Sequence, residues 1–272
     1  MGQYVGKSSD GMGRVTVRGR TVVGQVVAGQ VVAAAALVGL TGCAGVAHGA
    51  SARPGGTAAA SRPAAKAVPG AVAAADPALL PGVGARLRAQ VPASALQAVA
   101  VYGDGVDAPT STLVLYRRAA AGKPWQRVGG WATHNGGSGW SLHHRVGDRR
   151  TPVGVFRLTD AGGLGPNPGT RLPYDRSADF HGPSTWPPAY THDFDLVVAI
   201  DYNRVAGSSP LDPRRPLGEA LGGGIWLHLD HGSGTSACVT QPRADMLELM
   251  RFLDPRQHPV VVMGDRADLA AS

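Results

Sequence analysis

Hydrophobic and polar positions alternate with a period of two in several short stretches, and shift to a period near 3.6 only once. Residues 97–102 and 111–118 read as strands, the second with Leu113 and Leu115 on one face and Val114 and Tyr116 on the other. A turn at Gly122-Lys123-Pro124 leads to a third strand at 125–128. Pro152 and Gly154 predict a bend or bulge before a strand at 155–158. Residues 195–202 read as a strand whose continuous apolar run, Leu196 to Ile200, predicts a central, buried position. Alternation returns at 225–228, and 259–263 reads as the last strand. The one convincing helix is 242–254, where Met246, Leu249, Met250 and Leu253 make one apolar face, with Asp245 in the first turn and Pro242 suited to the first helical position. A short helical turn is expected within 78–91. Residues 160–190 and 203–224 read as loops, and the length of the first predicts a lid or a binding wall. The pattern predicts a mainly β domain (β-rich α+β) with one helix after Cys238.

Before residue 78 the pattern is of another kind. Arg14, Arg18 and Arg20 precede an apolar run from 21 to 40, which closes on Leu40-Thr41-Gly42-Cys43. That order is a targeting segment rather than a fold. Leu, two small residues and Cys resemble a bacterial lipoprotein signal, with Cys43 as the lipidated residue. A cut after Ala47 or Ala50, or a retained membrane helix, are the alternatives, since a run of about 20 residues can span a bilayer. Residues 44–77 are mostly Ala, Gly, Pro and Ser and lack the apolar residues for a core, so they read as a flexible tether. The expected organisation is a signal at 1–43, a tether at 44–77 and a folded domain at 78–268. The expected location is outside the cytoplasmic membrane, held by lipid.

Composition changes this picture little. The 272 residues carry a formal net charge of +7, of which residues 1–42 supply +3. No basic stripe with interleaved aromatics exists, so no nucleic-acid partner is expected. The only cysteines are Cys43 and Cys238, and lipidation or removal of Cys43 leaves Cys238 without a disulfide partner in the chain.

Candidate chemistry gathers at Cys238. From Gly232 to Ala237 every residue is Gly, Ser, Thr or Ala, a composition that brings backbone amides close to a ligand. His228 and His231 lie ten and seven residues before the cysteine. A thiol needs such a base, or a positive environment, to act as a nucleophile near neutral pH. His228 is the preferred base because it ends a strand; His231 is the alternative, or a support together with Asp230, although Asp230 reads as a solvated loop residue. The helix expected from 242 would place its positive end just beyond Cys238. The competing readings are a buried structural cysteine and a zinc site made of His228, His231 and Cys238. No fourth ligand or Glu base lies nearby, so neither metal nor cofactor is expected. His134, His143, His144, His181 and His192 read as solvated, with His181 or His192 the candidates for a cleft.

Gly147 to Phe156 resembles the Gly-x-x-x-Thr-Pro-x-Gly-x-Phe signature of L,D-transpeptidase (YkuD-type) catalytic domains. The strand ending in His228, the small-residue loop and Thr235-Ser236-Ala237-Cys238-Val239 resemble that family's nucleophile segment. The resemblance spans roughly residues 95–265. Ser236-Ala237 stands where the family usually has His-Gly, and Thr240 where it usually has Arg or Asn. The resemblance implies an L,D-transpeptidase-like β-sandwich and formation of 3→3 cross-links between tetrapeptide stems of peptidoglycan. Cys238 would be the thioacyl nucleophile and His228 its base, oriented by the carbonyl of Leu229. The amides of Ser236, Ala237 and Cys238 would form the oxyanion hole, and Tyr202 and the loop around Trp186 would wall the donor site. The implied partners are stem peptides, the membrane through the lipid, and carbapenem-type inhibitors; the implied location faces the cell wall. The alternatives are an L,D-carboxypeptidase and an inactive wall-binding lipoprotein of the same fold, the latter because Ala237 tolerates the oxyanion role only if its φ is negative.

Overall fold

A computed structural model describes residues 78–182 and 184–272. The signal, the tether and Cys43 lie outside the described residues. Eleven strands follow in order: β1 (Gln97–Gly103), β2 (Thr110–Arg117), β3 (Gln126–His134), β4 (Trp140–Ser141), β5 (Thr151–Pro152), β6 (Gly154–Gly163), β7 (Tyr174–Arg176), β8 (Val197–Ile200), β9 (Trp226–Leu229), β10 (Val239–Gln241) and β11 (Val260–Asp265). Three helices accompany them: α1 (Ala85–Arg88), α2 (Arg243–Phe252) and α3 (Arg266–Ala271).

The domain is mainly β. Its large sheet runs β11-β1-β2-β3-β10-β9-β8-β6-β7, and β6 also pairs with β11. The two faces of the expected sandwich are therefore continuous: eight strands close into a ring and β7 hangs on β6. Closure removes the exposed edges that an open sheet would carry.

Period-two alternation divides the apolar residues between two cores. Val99 and Val101 of β1, Leu113 and Leu115 of β2, and Val261 and Met263 of β11 point into the ring. There they meet Met246, Leu249, Met250 and Leu253, all fully buried, from the α2 face that the sequence predicts. Ala98, Ala100 and Tyr102, Val114 and Tyr116, and Val260 and Val262 point outward. Leu80, Val83 and Leu87 around α1 and Leu269 of α3 cover them, so β1 is buried along its whole length. The chain's last residues are part of this cover. Gly84 N–H donates to Leu269 O (2.7 Å) and Arg86 N–H to Ser272 O (2.9 Å). The folded domain thus runs past 268 to Ser272, and a second short helix, α3, follows Cys238 besides α2.

Several boundaries differ from the sequence pattern. β3 continues to His134 through Gly129 and Gly130, because a side chain at 130 would collide with the Leu113 carbonyl at 2.7 Å. β6 continues past the expected strand 155–158 through Thr159-Asp160-Ala161-Gly162-Gly163, into the stretch from 160 that reads as a loop. Asp160 is tolerated there because Arg204, itself buried, pairs with both Asp160 and Asp201. Pro242 is the residue before α2 rather than its first, since β10 carries the extended chain as far as Gln241.

The Gly147–Phe156 segment works as a brace. The Thr151 hydroxyl accepts from Gly136 N–H at 2.8 Å, and a methyl on Gly136 would meet Arg149 O at 2.6 Å and Thr151 N at 2.7 Å. Gly154 has φ +159, and a side chain there would strike the Phe156 ring at 2.7 Å. Thr151→Val keeps the shape and leaves the buried Gly136 amide unpaired. It is expected to lower the unfolding free energy by about 2 kcal/mol, read from urea denaturation, with unchanged m-value.

Candidate active site

β9 and β10 lie side by side and parallel, with Val239 opposite Leu227 and Thr240 opposite His228. Leu227, Leu229 and Val239 point into the inner core. Alternation then turns Trp226, His228 and the incoming Cys238 to the other face. The Trp226 amide donates to Cys238 Sγ at 3.4 Å. His228 is buried, with Nδ1 2.9 Å from the Leu229 carbonyl and its ring edge-on to Phe194. A carbonyl only accepts, so Nδ1 carries the proton and Nε2 keeps its lone pair.

Burial governs both ionisable groups. It pushes the His228 imidazole down to about 4, against the contact to Leu229. It pushes the Cys238 thiol up to about 11, against the Trp226 amide. At neutral pH the resting pair is thiol and neutral imidazole. The helix dipole does not alter this. Three strand residues and Pro242 separate Cys238 from α2, roughly 13 Å of extended chain, whereas the dipole acts within about one turn.

The small-residue loop is held by its backbone. Thr235 N–H donates to Asn135 O (2.9 Å), Gly137 N–H to Thr235 O (2.7 Å), and the Thr235 hydroxyl to Cys238 O (2.7 Å). Asn135 is fully buried and accepts from the Ser111 hydroxyl while donating to Ala108 O. Gly234 is needed because a side chain there would lie 2.6 Å from Gly137 Cα. Ala237 is not among the residues of positive φ, and its methyl belongs to the inner core. It therefore fills space behind the loop and leaves the cleft open. Ser236 is exposed to the cleft. The amides of Ser236 and Ala237 have no hydrogen-bond partner among the described residues.

The cleft is a cavity of about 360 Å³ lined by Cys238, His228, His231, Asp193, Arg149 and the aromatic residues Trp186, Tyr190 and Phe194. His231 Nδ1 lies 2.8 Å from Asp193 Oδ2. Asp230 is turned away from His228 and is not a solvated loop residue. It accepts from the Thr240 hydroxyl (2.6 Å) and His134 Nδ1 (2.9 Å), tying the end of β9 to β10 and, beyond it, to β3. Burial raises its carboxyl, but these two partners outweigh burial and hold it below the ordinary value. Tyr202 packs on Phe156 and His144 and does not line the cleft, and His144 is buried beside Asp148 rather than solvated. His181 and His192 are exposed and lie outside the cleft lining, whereas Trp186 is part of it.

Sequence reasoning missed Arg149, Tyr190, Asp193 and Phe194. Arg149 sits inside the signature segment with φ +58, a left-handed conformation that is uncommon for a non-glycine residue and collects at functional sites. Tyr190 ends the long irregular segment, Asp193 and Phe194 follow it, and none of the three carries a local signal. Among the described residues, no three His, Cys, Asp or Glu side chains are grouped to hold a metal ion.

A thiol and an imidazole on one face of adjacent strands, beside uncommitted amides, form the apparatus of acyl transfer. The chain belongs to the YkuD family of L,D-transpeptidase catalytic domains, whose model matches residues 101–262. It is thus an L,D-transpeptidase-type enzyme whose domain acts on peptidoglycan peptides. No curated protein matches the chain significantly.

The neutral resting pair has a measurable consequence. Without a low-pKa thiolate, alkylation of Cys238 by iodoacetamide in the free protein is expected to climb about tenfold per pH unit from pH 7 to near pH 10. A plateau between pH 5 and 8 in the rate profile, followed by mass spectrometry, would show a preformed thiolate–imidazolium pair instead.

Proposed function

We propose that this chain forms 3→3 cross-links in peptidoglycan through a thioacyl enzyme on Cys238, with a tetrapeptide stem as donor and an amine of a second stem as acceptor. The observation that carries this reading is the His228 ring, fixed through Nδ1 by the Leu229 carbonyl and lining the same cleft as Cys238. His228 Nε2 takes the thiol proton as sulfur attacks the carbonyl of the third stem residue, then returns it to the departing D-Ala amine. Proton transfer occurs as the bond forms, which suits a thiol held neutral at rest. The amides of Ser236, Ala237 and Cys238 face the charge that develops on the carbonyl oxygen, at roughly 3 kcal/mol per donor. Trp186, Tyr190 and Phe194 keep water from the thioester, which favours an amine acceptor over hydrolysis.

We also infer that Cys43 is lipidated and that residues 44–77 tether the domain outside the cytoplasmic membrane, facing the wall. The motif Leu40-Thr41-Gly42-Cys43 behind an apolar run supports this reading. Cys43→Ala is expected to move the protein from the membrane fraction to the soluble fraction. Equal membrane retention of both forms rules out anchoring through that residue.

The chemical reading is tested by intact mass after incubation with a carbapenem. A single drug-sized adduct is expected on the wild-type chain and none on Cys238→Ala. His228→Ala is expected to slow formation of the adduct, and of 3→3 dimers from tetrapeptide donors, by about 10²–10⁴-fold. Absence of an adduct on folded wild-type protein removes the thioacyl mechanism.

A further inference from the structure

His231 has no part in the donor half of the reaction, yet it is the second imidazole of the same cleft. Its side chain and that of Asp193 are 4% and 3% exposed, with Nδ1 and Oδ2 2.8 Å apart. The pair is ionic by distance and lies off the ring N–H axis. The His231 ring packs on Tyr190 at 4.3 Å and lies nearly parallel to the His228 ring, 6.5 Å between centroids. Nε2 is buried without a hydrogen-bond partner among the described residues. A buried polar atom left in that state is destabilising unless a ligand completes it. His231 does not back His228, whose Nδ1 is already held by Leu229. The result is an Asp–His pair separate from the Cys–His pair, in one cavity.

The second half of the reaction presents a need that this pair fits. An acceptor primary amine is an ammonium ion at neutral pH and cannot attack. It must lose one proton before attack and a second one after it. His228 is committed to the second proton, which goes to the departing thiolate. We propose that His231, held and charge-balanced by Asp193, is the catalytic base that deprotonates the acceptor ammonium. This rests on the thioacyl reading above. In the step, R–NH₃⁺ gives a proton to His231 Nε2. The free amine then forms the C–N bond at the thioester carbon, the C–S bond breaks, and the remaining extra proton on nitrogen passes through His228 to Cys238 sulfur. His231 releases its proton to solvent. Thioester and ammonium become amide, thiol and one proton.

The surroundings agree with a proton-holding pair. Burial pushes the Asp193 carboxyl up and His231 draws it back, with Asp230 adding a further upward push. The titratable groups around His231 are Asp193 and Tyr190 from the segment before β8, His228 on β9, and Asp230, which is itself bound by His134 of β3.

The test separates the two half-reactions in the full chain. Acylation is followed by intact mass with a carbapenem. Transfer is followed with a tetrapeptide donor and a series of primary amines of falling basicity, ending in hydroxylamine, which is unprotonated at neutral pH. For His231→Gln, acylation is expected within about threefold of wild type, transfer to strongly basic amines reduced about a hundredfold, and transfer to hydroxylamine largely restored. Asp193→Asn is expected to follow the same order with a smaller loss. The pH profile of transfer should lose one inflection in His231→Gln. Equal losses across all amines, or parallel loss of acylation and transfer, make the pair structural and overturn the proposal. A wild-type chain that forms no adduct overturns the thioacyl reading itself, and the base assignment with it.

Discussion

The cleft depends on a parallel pairing made across an unusually short connection. β9 and β10 are neighbours and parallel, and only residues 230–238 join them. Parallel neighbours ordinarily need a crossover of a dozen or more residues, often a helix. Here the chain returns along the strand with no helix. Bulky side chains would not fit such a path, and the run from Gly232 to Ala237 is the composition that allows it. The loop is caught where it passes the end of β3, through Thr235 and the backbone of Asn135 to Gly137. That stretch is in turn held by Thr151. The signature around Thr151 and Pro152 therefore acts at one remove, by fixing the surface against which the nucleophile loop is folded.

The same geometry sets the electrostatics. Phe194 covers the His228 ring, and Cys238 sits half-buried on the same side of the strands, where desolvation acts on both groups. Each then favours its neutral form. In the proposed mechanism charge arises only when a substrate carbonyl and the loop amides are present to receive it, so the energetic cost of the ionic state falls on the complex rather than on the free protein. The aromatic wall of Trp186, Tyr190 and Phe194 stands beside this pair.

The sequence made some of this legible and hid the rest for physical reasons. Strands with regular alternation, such as β2, and the apolar face of α2 were readable because their side chains report burial directly. β3 was cut short at Gly129 and Gly130, where close packing of two strands excludes side chains. The end of β6 was hidden because Asp160 is buried by a partner, Arg204, more than forty residues away. β10 is three residues long and offers no period at all. In the cleft, Cys238 and His228 were readable from their spacing around a loop of small residues. Asp193, Tyr190 and Phe194 were not, since an irregular segment carries no periodicity and its position is decided by tertiary packing. Asp230 looked solvated because nothing local shows that His134 and Thr240 arrive beside it.

The protonated thiol also bears on durability. Oxidants attack the thiolate far more readily than the thiol, and sulfenic acid formation follows thiolate character and exposure. Cys238 combines a raised pKa with a half-buried position in a walled cleft. Between turnovers it is therefore a poor target for peroxide and for exchange with free disulfides. If Cys238 is the nucleophile proposed above, it spends the time between substrates in the form that chemical damage touches least.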